Sequence, residues 1–201
     1  MFVDKYGKQL VAELNVKGVS GKSLDQVLSV EKARALDRLD LANMWKEQYQ
    51  SRPFQFGYSM SKSHFDGWIS RAKVWPLALI PLQKAKDLVE NYVVEHNFHS
   101  TNACLGFCRL VDYQKFGPNA RPIASVFSYS EFLEEKEIAL LAGSFEGTLT
   151  DRTESLQLLL QTSEIYNKLF EWIVKFNGNS KSFDYQSYLY AVQNIYKLNK
   201  E

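Results

Sequence analysis

The chain has little of what most recognisable function classes require. It carries two cysteines, Cys104 and Cys108, in 201 residues, far below the density of a disulfide-stapled secreted domain, so a reducing compartment is the expectation. Neither sign of charge dominates: 24 Lys plus Arg stand against 23 Asp plus Glu. No one-sign field therefore exists to hold a nucleic acid or an anionic membrane. No apolar run approaches the roughly 20 residues that span a bilayer. The longest candidate, around Leu77–Leu82, is short and bracketed by Pro76 and Pro81, which excludes membrane insertion. The start, Met1 to Lys8, contains Asp4, and no arginine precedes Arg34, whereas a mitochondrial presequence is Arg-rich and poor in acids. An import signal is read as absent from this chain, either not needed or removed.

What is present is apolar and aromatic. With 45% hydrophobic residues the chain can bury a sizeable core, and its length fits one domain better than two. The 4 Trp, 11 Tyr and 13 Phe suit both a core and a protein interface, so recognition should rest on shape and apolar surface.

Periodicity predicts the elements. Leu10, Val11 and Leu14 have helical spacing before Gly18 and Gly21 break it, a loosely attached helical arm. A charged segment runs from the potential cap Ser23 to Arg38, and Asp40 opens an amphipathic helix through Leu41, Met44, Trp45 and Gln48, ended by Pro53. Phe54, Phe56 and Tyr58 alternate with polar or small residues, the period of a half-buried strand. Ser61 caps a helix to about Lys73, with Phe65, Trp68, Ile69 and Ala72 on one face. Trp75–Leu82, Leu88–Phe98 and Ala103–Tyr113 read as strands, with a turn at Gly117-Pro118-Asn119. Ile123–Tyr129, a short helix Glu131–Lys136 capped by Ser130, and Ile138–Phe145 give strand, helix, strand. After Thr150 a wide stripe from Leu156 to Phe176 predicts the clearest helix, and Asp184–Leu198 predicts a closing one.

The resulting expectation is a single α+β domain with a largely antiparallel or mixed sheet packed against helices. A helical N-terminal arm (1–38) precedes the main domain (39–201), which ends in two C-terminal helices.

Candidate chemistry is thin. Gly21-Lys22-Ser23 resembles the end of a phosphate-binding loop, but Val16 stands where that loop needs glycine. A Gly-rich hinge is the better reading. His96, His99, Cys104 and Cys108 are possible metal ligands close in sequence. On strands, however, the two histidines point to opposite faces and the two cysteines lie about 13 Å apart, which does not close a tetrahedron. Gly143-Ser144-Phe145-Glu146-Gly147 places its serine one position too early for a hydrolase elbow. His64 lies near a helix start, and Glu134-Glu135 fall on charged helical surface. No catalytic residue, metal ligand or cofactor is expected. Trp68, Trp75, Tyr113 and Phe116 are commonly core residues, yet an interface needs only a few such anchors.

The order of motifs resembles the mitochondrial ATP synthase assembly factors that chaperone the catalytic β subunit. Leu39-Asp40-Leu41-Ala42-Asn43-Met44-Trp45-Lys46-Glu47 is similar to that family's helix ending in a Trp-Lys pair. Ser70-Arg71-Ala72-Lys73 with Pro76 and Pro81-Leu82 resembles its next block, and Phe107-Cys108-Arg109-Leu110-Val111-Asp112-Tyr113 with Asn119-Ala120-Arg121-Pro122 its most recognisable one. Tyr129-Ser130-Glu131-Phe132 leading to Ile138, Leu140 and Gly143, then Phe176-Asn177 and Phe183, complete the pattern. Cys108, Phe132 and Glu137 stand where the family pattern has threonine, leucine and glycine, as in a divergent member.

The resemblance implies a mitochondrial matrix protein without cofactor. It binds unassembled β subunit, prevents its aggregation and hands it to the α subunit. Trp68, Trp75, Tyr113, Phe116 and Arg121 are its candidate partner-binding residues, and it is expected to be monomeric when free. The rival expectation is a small hydrolase or ligand-binding enzyme with a dispersed active site. A deep pocket with converging polar groups would mark the enzyme, and a broad apolar patch with a polar rim would mark the chaperone.

Overall fold

Alternation at Phe56, Tyr58 and Met60 builds strand β1 (Gln55–Ser61). β-branched and aromatic runs build β2 (Leu77–Ala85), β3 (Leu88–His99), β4 (Asn102–Arg109), β5 (Ala124–Tyr129) and β6 (Ile138–Phe145). The computed structural model describes residues 23–99, 102–178 and 182–198. The expected helix through Leu14 and the Gly21-Lys22 pair lie outside them. The strands form one sheet in the order β1-β6-β5-β4-β3-β2, antiparallel at every pairing. β2 to β6 run as a meander, and β1 closes the far side beside the last strand.

Helices cover both faces. α1 (Leu24–Val27), α2 (Val30–Arg34) and α3 (Arg38–Gln50) place Leu24, Ala33, Leu41, Trp45 and Tyr49 against Phe127, Tyr129, Ile138, Leu140 and Ala142. On the opposite face, α4 (Lys62–Val74) and α7 (Arg152–Lys168), followed by α8 (Phe170–Gly178) and α9 (Tyr185–Leu198), pack Phe65, Trp68, Leu158, Ile165, Tyr166 and Tyr188 against Phe56, Leu105, Phe107 and Val126. With both faces covered, β5 is buried at every position and reads as a run without alternation. Helix α4 carries the chain from one sheet edge to the other. A 13-residue helix rises about 20 Å, close to the roughly 24 Å that separates the outer strands of a six-stranded sheet.

Several boundaries differ from the sequence reading, each for a local reason. The strand expected through Tyr113 ends at Arg109. Helix α5 (Leu110–Phe116) follows it, started by Arg109 Nε donating to Asp112 Oδ2 at 2.7 Å, and Leu110 and Tyr113 pack on the core one turn apart. The cap of α3 is Asp37, whose Oδ1 accepts the Asp40 amide at 2.8 Å, so this helix begins ahead of Asp40. Helix α6 (Leu133–Lys136) is preceded by Phe132 and not by Ser130. The long C-terminal stripe divides at Leu169, whose ψ of 32° leaves helical geometry.

Glu137, where the family pattern has glycine, ends α6 at φ 54°, ψ 34°. That left-handed conformation suits glycine at a helix C-terminus. Cys108, where the pattern has threonine, donates its thiol to the Ala120 carbonyl at 3.3 Å, a bond that a threonine hydroxyl would also make.

Candidate functional site

The groups that looked most like chemistry lie in the core. His96 is fully buried. Trp68 Nε1 donates to His96 Nε2 at 3.0 Å, so Nε2 carries no proton and Nδ1 must donate to the Pro76 carbonyl, 2.9 Å away. Burial lowers the His96 pKa to about 4, and the ring is a neutral structural link between β3 and α4. Burial likewise pushes the Cys104 thiol up to about 12, far from a nucleophile's range. His64 Nε2 lies 3.1 Å from Ser163 Oγ and 3.8 Å from Glu164, a contact between helices. Among the described residues no three His, Cys, Asp or Glu side chains gather as metal ligands. Displaced ionisation here reports burial, not convergence of groups in a cleft.

The surface that stands out is built from three loops at one end of the sheet. The first follows α5. A short 3-10 turn at Gly117–Asn119 is tied by the Ala120 amide to the Gly117 carbonyl at 2.9 Å, and the Ile123 amide bonds the Phe107 carbonyl at 2.8 Å. Ala120 and Pro122 are buried between these ties, and Arg121 points out, 73% exposed, with Nη2 only 3.7 Å from Glu146 Oε2. Such an exposed pair contributes little to stability and holds the guanidinium at the surface.

The second loop joins β6 to α7. The Glu146 amide bonds the Ile123 carbonyl at 2.7 Å, and the Leu149 amide bonds the Glu146 carbonyl at 2.9 Å. This turn presents Leu149, 45% exposed. The third loop precedes β1. Phe54 has φ 59°, an unfavourable conformation for a bulky residue, and the residue is 58% exposed. The Phe54 ring lies edge-on to Phe145 at 6.0 Å and directly over Gly147, where an added Cβ would come within 2.2 Å of it.

Two open depressions follow from this arrangement. One, of about 530 Å³, is lined by Asp112, Phe116, Arg121, Glu146 and Leu149 among others. The second, of about 380 Å³, is lined by Phe54, Gln55, Ser144 and Phe145 and shares Glu146 and Thr148 with the first. Exposed Phe116 and Val111 on α5 extend the apolar surface. Apolar anchors around a few charged groups, on a surface of two open depressions, are suited to binding a protein.

Of the five expected partner-binding residues, the fold brings Phe116 and Arg121 together at this surface. Tyr113 is on the same helix as Phe116 but half-buried against the core. Trp75 is half-buried beside α8, and its carbonyl accepts the Tyr166 hydroxyl at 2.7 Å. Trp68 lies wholly inside, out of a partner's reach. Sequence reasoning missed Phe54, Leu149 and Val111. An isolated leucine in the polar turn Glu146–Thr150 is the one signal that could have pointed to the surface.

Comparison with known proteins follows the same direction. A family model described as ATP11 protein matches residues 6–186. The chain is 24% identical over 161 residues to "Protein atp11, mitochondrial" of Schizosaccharomyces pombe, covering 80% of this chain and 56% of the relative. It is 24% identical over 188 residues to mouse "ATP synthase mitochondrial F1 complex assembly factor 1", covering 92% of this chain and 55% of the relative. The chain thus spans a little over half the length of these relatives.

Proposed function

The chain belongs to the ATP11 protein family, and from that premise we propose that it is a chaperone of ATP synthase assembly in the mitochondrial matrix. It holds the unassembled catalytic β subunit, prevents its aggregation and yields it to the α subunit, with no catalytic step of its own. The mouse relative's name supports the assembly role, and both names support a mitochondrial location. The β subunit is the partner that the motif resemblance implies.

The observation that carries the reading is the exposed apolar surface of Phe54, Phe116 and Leu149 around the Arg121–Glu146 pair. On this reading the isolated β subunit exposes an apolar surface that α later covers, and exposed apolar surface of that kind is prone to aggregation. A chaperone that masks such a surface must itself offer apolar area, and must be displaceable by mass action when α arrives. A shallow patch with charge at its rim meets both needs better than a deep pocket. The test is light scattering of isolated β subunit with and without the chain. The native chain is expected to suppress scattering at equimolar ratio, and a Phe54→Ser, Phe116→Ser, Leu149→Ser variant of unchanged circular dichroism is expected not to. Equal suppression by both would remove the surface from the function.

A further inference from the structure

The two edges of the sheet are treated differently. On β2, the carbonyls of Leu77, Leu79 and Pro81, which point away from β3, are met by side chains from the C-terminal helices. Asn177 Nδ2 donates to Leu77 O at 2.8 Å, the Tyr188 hydroxyl to Leu79 O, and Gln161 Nε2 to Pro81 O. Tyr166 caps Trp75 O just ahead of them. Pro81 has no amide to offer. This edge is sealed against pairing with another strand, the usual protection of a sheet that must stay soluble.

On β1 helix α3 packs closely over one face, so that a Cβ added at Gly57 would come within 2.9 Å of the Trp45 carbonyl, but among the described residues no side chain bonds its outward backbone groups. The Phe145 amide donates to Phe54 O at 3.0 Å and the Lys62 amide to Glu137 O at 2.9 Å. With Gln55 opposite Ser144 and Ser61 opposite Ile138, these bonds turn the backbone of Phe56, Tyr58 and Met60 toward β6. Gln55, Gly57 and Ser59 therefore direct their amides and carbonyls outward, and among the described residues no side chain or backbone group bonds them. An apolar-lined depression adjoins each end of the strand. Phe54 and Phe145 line one. The other, of about 400 Å³, is formed by Leu39, Ala42, Met60 and Ile138. Ser144, paired with Gln55, is 5% exposed. Ser144 lines the first depression, and among the described residues its buried hydroxyl has no hydrogen-bond partner.

We propose that β1 is the strand to which an extended segment of the partner protein adds, forming a seventh antiparallel or parallel strand beside Gln55, Gly57 and Ser59. The chemistry selects the occupant. A row of outward amides and carbonyls repeating about every 6.7 Å matches the backbone of an extended polypeptide, and main-chain pairing supplies affinity while flanking pockets receive side chains. The segment carries apolar side chains near its two ends, five to six residues or roughly 17–20 Å apart, for the depressions at Phe54 and Leu39. The edge is continuous with the surface already described, because Glu146 and Thr148 line both depressions there. The sealed β2 edge leaves β1 as the side on which growth of the sheet can occur.

The inference rests on the chaperone reading, and one set of experiments separates the two. Ser59→Pro removes an outward amide that the fold does not use, so an edge strand tolerates it, whereas Ser59→Ala keeps that amide. Ser59→Pro is expected to weaken binding to isolated β subunit at least about tenfold, while Ser59→Ala changes it less than about twofold. Hydrogen exchange on the full chain gives a second readout that needs no variant. The Gly57 and Ser59 amides are expected to exchange fast in the free protein and slowly in the complex, with the Tyr58 and Met60 amides slow in both. If the native chain binds no β subunit, the chaperone reading fails. If it binds, and neither Ser59→Pro nor the exchange pattern shows an effect, strand addition alone is overturned. Slow exchange of Gly57 and Ser59 in the free chain also overturns it, since the edge is then already filled.

Discussion

Acid should destabilise this fold through one buried histidine, and the effect can be isolated. His96 titrates at about 4 in the folded chain against an ordinary value of 6.5. Between those values the unfolded chain binds a proton that the folded chain refuses. The contribution is therefore fully present above about pH 6.5, declines as pH falls, and is exhausted below about pH 4. From pH 7 to 4.5 the loss is on the order of 2.5 kcal/mol, a substantial part of a typical domain's stability. Among the described residues the ring's aromatic neighbours are Trp68, Phe98 and Tyr166, and the Pro76 carbonyl that accepts from Nδ1 offsets only part of the cost of protonation. Acid would also take from Nε2 the lone pair that accepts the Trp68 bond. The assay is urea unfolding of the native chain and of His96→Gln at both pH values, because glutamine offers one donor and one acceptor and does not titrate. Carboxylates respond alike in the two proteins. The native chain should lose about 2.5 kcal/mol more than the variant on acidification. Parallel loss in both, or an NMR titration of His96 near its ordinary value, would refute the reasoning.

Other outcomes follow from single positions. Glu137→Gly relieves a left-handed backbone and should raise stability by up to roughly 1 kcal/mol, read as a higher urea midpoint with unchanged slope. Arg121→Ala should weaken β-subunit binding by roughly 1–3 kcal/mol, with the melting temperature unchanged because the side chain is 73% exposed; a melting temperature lowered by several degrees would assign it a bracing role instead. Cys104, buried with its thiol pushed up to about 12, should resist iodoacetamide at pH 8 in the folded chain and react once urea unfolds it, as mass spectrometry would show.

The sheet was legible because its signals are local. Alternation at Phe56 and Tyr58 and the β-branched run of β3 mark strands whatever they pair with, and β6 falls where the pattern places it. Helix α5 was not legible, since Leu110, Val111 and Tyr113 suit a strand by propensity and only the Arg109–Asp112 bond and packing on the core select the helix. The break at Leu169 escaped for a similar reason: the apolar spacing continues across it. At the candidate site, Arg121 and Phe116 were visible through the motif that contains them. Phe54 and Leu149 join them only through the Ile123–Glu146 backbone bond and the β1–β6 register, long-range pairings that no periodicity encodes. Trp68 showed the converse. Aromatic content alone cannot separate an anchor from a core residue, and its bond to His96 makes it the latter.

A chaperone of this kind must recognise one subunit of the catalytic sector and not the other. Binding of the purified chain to isolated β subunit and, separately, to isolated α subunit, followed by calorimetry, addresses this directly. The complex with β is expected to be at least about a hundredfold tighter than with α, a gap of roughly 3 kcal/mol, and the chain to be released when α is added to the β complex. Equal affinity for both subunits, or no binding to β, would contradict the chaperone reading.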